Sequence, residues 1–556
     1  MTVGRSTEAS QRERDEVKRI IKRLDQLKSD RANFEAHWQK IAKVVMPFDM
    51  SFLSQYQTEG VDTDPRVYDS TGIHSNELLA SGFYSLLTNP ASPWFDLSVA
   101  NQKLANNSAV KRWLADVTRI MAYEIQRPQS GFTTSLHEGY RSYGAYGNMC
   151  MFVTEKKDLT GLQINSLPLS ECYFAENAEG QIGSLYRVYR RTVLQLVEAF
   201  GKANLHPEIV KAYDDGELST KFEILHVVAP NIEADPLSIK AAKAMPYKST
   251  YVDTKHGLVI QESGYNERPF MAARFYKASH ETYGRGPGSN ALPDLRMLQQ
   301  IVSTNLRAAQ KMIDPALMIP DQGFVSPIST KPAAINYYRT GSMDPKGVVP
   351  MQTGGRPDLG LDIIKDLQMR IREIFFVDQL QLNTGPQMTA TEVMQRTEEK
   401  LRLMGPVVGR AENELLSPLI IRCFGILMRA GKFDTPPEEL MQPGVKLQIV
   451  YTSPIAKAQQ QVEANNLTRA MQVLTPFLSF DPAAMDKFNT DKTVEGVCDM
   501  YSINPEYLRD DSETAEVRQA RAEAQQQAQM AEQIKNAGIG MNNIASGMDT
   551  LGQMEQ

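Results

Sequence analysis

Apolar residues recur on one stripe at Leu295, Leu298, Val302, Leu306, Ala309 and Ile313. Arg296, Gln299, Gln300, Ser303, Arg307 and Gln310 fall away from it. That spacing is the period of an amphipathic helix. Gly284-Arg285-Gly286-Pro287-Gly288 precedes the stripe and is expected to stay outside the helix. The predicted start is a cap at Ser289 or Asn290, with Pro293 tolerated in the first turn. Asp314-Pro315 ends it, because proline removes a donor and restricts the residue before it. A second stripe, Ile363, Leu367, Ile371 and Ile374, predicts another helix, with Asp366 and Arg370 as an i,i+4 ion pair. Between them, residues 315–357 are rich in proline and glycine. Ala316-Leu317-Met318-Ile319 and Ile335-Asn336-Tyr337-Tyr338 fit short strands there, and no long helix does. Two helices flanking a small mixed module make a stalk with the module at its tip.

The same patterning predicts helices over 12–46, closed by Pro47, and over 69–88, followed by a proline-bracketed turn that packs Trp94 and Phe95 on the core. Helices over 109–124 and 132–144 come next. Tyr140, Tyr143 and Tyr146 are expected to be buried rather than to stack on nucleobases. Alternating or β-branched runs then predict strands at 149–154, 162–167, 171–175, 185–191, 222–228, 247–253, 258–262 and 271–276, forming one barrel or sandwich-like sheet. A helix capped by Thr192 and stopped by Gly201 interrupts them. Residues 377–388 are polar. Thr389-Ala390-Thr391-Glu392 is a capping box that opens a helix running to Ala430 and Gly431, kinked near Pro406 and Pro418. A strand at 446–451 is expected to return to the β-rich region. Helical pieces at 457–478 and 492–500 follow, and beyond 511 a helix fades into a disordered tail. The fold class is α+β, mainly α.

Composition narrows the functional classes. A chain of 556 residues exceeds one hydrophobic core, so several domains are expected. No apolar run is long enough to span a bilayer, so no membrane insertion is expected, and the polar start carries no secretory signal. Cys150, Cys172, Cys423 and Cys498 lack CxxC spacing, which suits free thiols in a reducing compartment. A net charge of −6 argues against bulk electrostatic capture of nucleic acid. Walker, HExxH, G-x-S-x-G and EF-hand patterns do not occur, and His37, His74, His137, His206, His226, His256 and His280 are isolated in the sequence. The expectation is a structural machine part, not an enzyme, with no catalytic residue, metal or cofactor.

Three stretches resemble a known family. They are Leu79-Ala80-Ser81-Gly82-Phe83-Tyr84-Ser85-Leu86-Leu87-Thr88 with Pro93-Trp94-Phe95, then Tyr283-Gly284-Arg285-Gly286-Pro287 leading into Asp294-Leu295-Arg296, and Met388-Thr389-Ala390-Thr391-Glu392-Val393. In this order they are similar to the portal proteins, or head-to-tail connectors, of short-tailed bacteriophages. The resemblance implies a dodecameric ring around a channel for double-stranded DNA, at one capsid vertex of the virion, after assembly in the host cytoplasm. It implies a wing over 1–285, with the β-rich part near 149–276. Stem helices over 286–314 and 358–376 would carry a clip over 315–357. A tunnel loop over 377–388, a long wing helix and return strand over 389–455, a crown over 456–510 and a tail over 511–556 would follow. Gln381, Asn383, Thr384, Gly385 and Gln387 would face DNA in the channel, and Tyr337, Tyr338 and Arg339 on the clip would dock partners. Those partners are the terminase large subunit and then the tail adaptor protein, beside the major capsid and scaffolding proteins and internal core or ejection proteins at the crown. Twelve copies at −6 each leave such a ring strongly negative, which suits a conduit that does not grip its cargo. The competing class is a capsid or tail scaffold protein that oligomerises without a DNA channel; a nuclease or motor fits least.

Overall fold

The computed structural model describes residues 7–48, 67–90, 93–105, 107–156, 161–232, 247–313, 357–380, 404–441, 447–451 and 513–530. Short pieces at 52, 234–235, 238, 244–246, 317–318 and 349–350, and a few residues between 469 and 498, complete it. The fold is mixed helix and sheet, mostly helical. It comprises two compact units, one of Met1–Ser92 and Tyr123–Ala430, the other of Pro93–Ala122 and Gly431–Gln556.

In the first unit, helix α1 (Thr7–Val45) stops just before Pro47. Its Val17, Leu24 and Leu27 pack on Tyr173, Val188, Leu225, Val227 and Val252. These belong to a five-stranded antiparallel sheet ordered β4 (Cys172–Glu176), β5 (Ile182–Thr192), β6 (Lys221–Pro230), β7 (Tyr247–Asp253) and β8 (Leu258–Tyr265). A second apolar cluster joins Phe222, Ile224 and Ile260 of the sheet to Val193, Leu196, Leu205 and Ile209. Phe222 and Ile224 alternate with Leu225 and Val227 along β6, so the strand's two faces feed two different clusters. Arg31 is almost fully buried and donates to the carbonyls of Leu169, Ser170 and Cys172, which ties α1 to the entrance of β4.

The remaining strands of this unit form a separate three-stranded sheet, β3 (Leu162–Leu167), β2 (Asn148–Glu155) and β9 (Phe270–Arg274). The single barrel or sandwich expected from the strand pattern is therefore corrected to two sheets. The reason is pairing: β2 bonds to β9, more than a hundred residues on, and not to its successor in the other sheet. Helix α2 (Thr71–Leu87) packs on a later helix (Phe132–Tyr146), which itself covers β2 and β3 and buries Tyr140, Tyr143 and Tyr146 completely.

In the second unit, Phe95 opens strand β1 (Phe95–Val99), which pairs antiparallel with a strand at Leu447–Tyr451. The expectation that this last strand returns to the β-rich region is thereby corrected. Trp94 and Phe95 are buried as expected. Trp113 donates its indole N–H to the Asp434 carbonyl at 2.9 Å.

Candidate functional site: a two-helix stalk and its anchorage

Two long helices, Pro287–Ile313 and Pro357–Ile374, pack against each other antiparallel. Arg370 bonds Asp294 at 2.9 Å near one end, and Gly360 lies against Asn305 further along. The i,i+4 pairing of Arg370 with Asp366 is thus replaced by a bond across the pair, because the facing helix presents a carboxylate nearer to the guanidinium. Two-residue strands at Leu317–Met318 and Val349–Pro350 pair beyond the first helix, closing the neck of the intervening excursion.

The first helix starts at Pro287, earlier than the expected cap at Ser289 or Asn290. The Gly286 carbonyl already accepts from Ser289 N at 2.9 Å and Asn290 N at 3.4 Å. Pro287 fits the first position, where a backbone N–H has no helical partner. Pro293 consequently lies inside the helix.

This early start is set by how the glycine-rich segment is clamped. A Cβ on Gly284 would sit 2.6 Å from the Gly147 carbonyl, one on Gly286 2.7 Å from the Gly144 carbonyl, and one on Gly288 2.3 Å from the Ala145 carbonyl. Backbone meets backbone there, which only glycine permits. Buried Asn148 holds the same segment from the side. It accepts from Gly284 N at 2.7 Å and donates to Gly284 O at 2.9 Å. Tyr283, just before, accepts from Phe174 N at 3.1 Å among Phe34, Trp38 and Phe174, and burial pushes its phenol up to about 12.

Arg274 completes the anchorage. It is 2% exposed and pairs with Glu414 at 2.7 Å, with Glu176, and with the Gly180 carbonyl. Glu414 stands on a π-helical turn, Glu412–Leu416, directly before a helix at Ser417–Arg429. A kink or break is expected near Pro406 and Pro418; the helix instead continues through 404–429, with this π-helical turn as its irregularity just before Pro418. Asp69 then fastens both stalk helices to the start of α2. Gln299 donates to its carbonyl at 2.6 Å, Gln368 donates to its carboxylate at 2.7 Å, and the same carboxylate accepts from Thr71 N at 2.8 Å.

Away from this base the apolar stripe leaves the core. Leu295, Leu298, Leu367 and Ile371 are buried, yet Leu306 and Ile363 are about half exposed, Met312 more so, and Ile313 is 85% exposed. A groove of about 460 Å³ runs between the helices beside Ile301, Thr304 and Asn305. A helix that used its stripe only for its own core would bury it to the end. This one carries apolar surface beyond the body that anchors it.

Tyr337, Tyr338 and Arg339 lie outside the described residues, as do Gln381, Asn383, Thr384, Gly385 and Gln387. Phe376, in the left-handed region at φ 58°, ends the second stalk helix; Val377–Leu380 adds one helical turn before that segment. Among the described residues one group has the donors for a metal ion: His206, Glu208 and His256. The two histidines are isolated in the sequence but stacked in the fold, with ring centroids 3.6 Å apart. The spacing of His206 and Glu208 could have flagged one half of the group. Only the pairing of β7 with β8 reveals the other.

Comparison with known proteins gives one consistent picture. The model of the bacteriophage head to tail connecting protein family matches residues 17–508. The chain is 32% identical over 526 residues to a probable portal protein of Bordetella phage BPP-1, covering 93% of each chain. It is 28% identical over 529 residues to the portal protein of Salmonella phage epsilon15, covering 92% of each. To the portal protein of Escherichia phage T7 it is 21% identical over 429 residues, covering 76% of each.

Proposed function

The chain belongs to the family of bacteriophage head to tail connecting proteins, and from that premise we propose that it forms the portal of a short-tailed phage. In this reading, twelve copies close into a ring at one capsid vertex, and double-stranded DNA passes through its centre during packaging and ejection. One observation carries the reading physically: the stalk keeps a row of apolar side chains outside its own core, including Leu306, Ile313 and Ile363. Ring closure covers such a row identically on every copy, which an open set of contacts does not do.

The remaining assignments follow from this one. The helices Pro287–Ile313 and Pro357–Ile374 are the stem, residues 315–357 the clip, and 381–387 the loop that meets DNA. That loop holds Gln381, Asn383, Thr384, Gly385 and Gln387 and no charged residue. Amides and hydroxyls exchange hydrogen bonds with phosphates without releasing counterions, so they hold a duplex weakly. Tyr337, Tyr338 and Arg339 are the candidate contacts for the terminase and then the tail adaptor. The family role is structural, and the DNA-moving energy comes from a separate motor.

Electron microscopy of the purified chain tests the reading. The expected image is a closed ring with a hole as wide as a duplex. Solid discs or open arcs would favour a scaffold protein without a channel, and isolated monomers would remove the reading altogether.

A further inference from the structure

Two short stretches far apart in the chain meet beside the five-stranded sheet. His206 precedes a helix at Pro207–Asp214 whose first turn carries Glu208, and His256 sits in the turn between β7 and β8. Their donor atoms all lie within 4.8 Å of one another. His256 is held between two carboxylates, with Nδ1 2.7 Å from Asp253 Oδ2 and Nε2 2.8 Å from Glu208 Oε2. A neutral imidazole has one N–H. With that proton on the Asp253 side, the Nε2 lone pair faces a carboxylate oxygen, so the gap between them is filled either by a second proton on the ring or by a metal ion.

We propose that His206, Glu208 and His256 bind a divalent transition-metal ion of the zinc type, with Asp253 orienting His256 from behind. The donor set supports a borderline ion: two imidazoles and one carboxylate are a known zinc combination, whereas calcium and magnesium prefer oxygen alone. His206 and His256 stack at 3.6 Å with planes 9° apart. Two donors on a tetrahedral ion with bonds of about 2.1 Å are roughly 3.4 Å apart with lone pairs converging at about 109°, so ligation by both requires the rings to swing out of this parallel stack. The His206 Nδ1 lone pair caps helix 207–214 by accepting from Glu208 N at 3.3 Å, a long bond that the ion would have to replace. Asp253 is fully buried and also accepts from Lys255 N at 3.0 Å and His256 N at 3.2 Å. It is a rigid second carboxylate behind a ligating histidine, the arrangement that fixes ring orientation and tautomer. Lys255 is the competitor, 2.5 Å from Glu208 Oε1; this exposed pair is weak, and Glu208 keeps its other oxygen for the ion. The ion would pin the start of helix 207–214 to the β7–β8 turn and leave one coordination position for water.

Calorimetric titration of the full chain with Zn²⁺, after chelator treatment and dialysis, tests the site independently of ring formation. The expected result is one ion per chain and a melting temperature that rises with Zn²⁺, as binding to the folded state requires. Co²⁺ in its place should show the visible absorption of a four- or five-coordinate ion. Glu208→Gln, at an exposed position, should weaken binding at least tenfold, and Asp253→Asn by about 10–100-fold. Lys255→Ala should tighten it by releasing Glu208, an effect that a purely structural ion-pair cluster does not produce. Absence of Zn²⁺ and Co²⁺ binding would overturn the proposal. So would binding that survives undiminished in a His206→Ala, His256→Ala double variant, or one indifferent to both Glu208→Gln and Lys255→Ala.

Discussion

The five-stranded sheet and the two-helix stalk belong to one compact unit and solve opposite problems. Along β6, Leu225 and Val227 feed one apolar cluster with α1, while Phe222 and Ile224 feed another with residues 193–209. The sheet's apolar side chains therefore find partners within the chain. The stalk buries Leu295, Leu298, Leu367 and Ile371 at its base and then exposes Leu306, Ile313 and Ile363. The lesson is that apolar periodicity marks a face to be covered without saying by what. Where the chain supplies the cover, the region is complete in one copy; where it does not, the apolar face stays exposed.

Substitutions at the rigid base should have the largest effect on folding. Arg274→Ala would leave the mostly buried Glu414 without its cation, while Glu176 keeps Lys277, and breaking such a pair costs about 3 kcal/mol. Thermal melts followed by circular dichroism should show this loss. A change no larger than a surface substitution would mean that the base is not the rigid element described.

A second effect belongs to the sheet alone. Burial, with a smaller contribution from the Arg187 charge, pushes His226 down to about 3, while Ser249 bonds it at 2.9 Å and Tyr251 stacks on it. Folded His226 stays neutral, but an unfolded histidine takes a proton below about 6.5. Its contribution is thus complete above pH 6.5 and is lost as the pH falls from there towards 3. Between pH 6.5 and 5 the loss is about 2 kcal/mol. His256 works in the opposite sense, since hydrogen bonds with Asp253 and Glu208 outweigh its burial and raise it. Denaturant titrations across this range should show the slope, and His226→Gln should flatten it by one proton's worth.

On the stalk the same measurements should register almost nothing. Leu306→Glu with Ile363→Glu should alter the stability of a single copy by no more than about 0.5 kcal/mol, since both side chains are already half in water. Their effect is expected in assembly, as sedimentation would read it. Lys at Asn383 and Gln387 should leave both folding and assembly alone and slow DNA movement through the ring, with added salt restoring the rate. An unchanged rate in a packaging assay would reduce that segment to a connector.

Much of this was legible from the residues. Pro47 closing α1, Thr192 capping the helix it precedes through a reciprocal bond with Gln195, and Gly431 in the left-handed region after Ala430 are local signals with local causes. β3 and β7 fall on the expected residues because alternation is strong there. What stayed hidden depends on distant partners. Strand β1 lies inside a stretch dominated by turn residues, and its mate follows it by some 350 positions. The start at Pro287 is set by the fit of three glycines against residues 144–147. Asn148 reads as a polar residue in an apolar strand until Gly284 is seen beside it.

Sedimentation velocity on the wild-type chain and the Leu306→Glu, Ile363→Glu variant, at equal and high concentration, tests the central claim most directly. If the exposed row on the stalk is the surface that neighbouring copies cover, the wild type sediments as one large closed species. The variant then sediments as the 62.3 kDa chain, with its melting curve intact. A wild type that stays at 62.3 kDa, or a variant that assembles as the wild type does, would contradict the account.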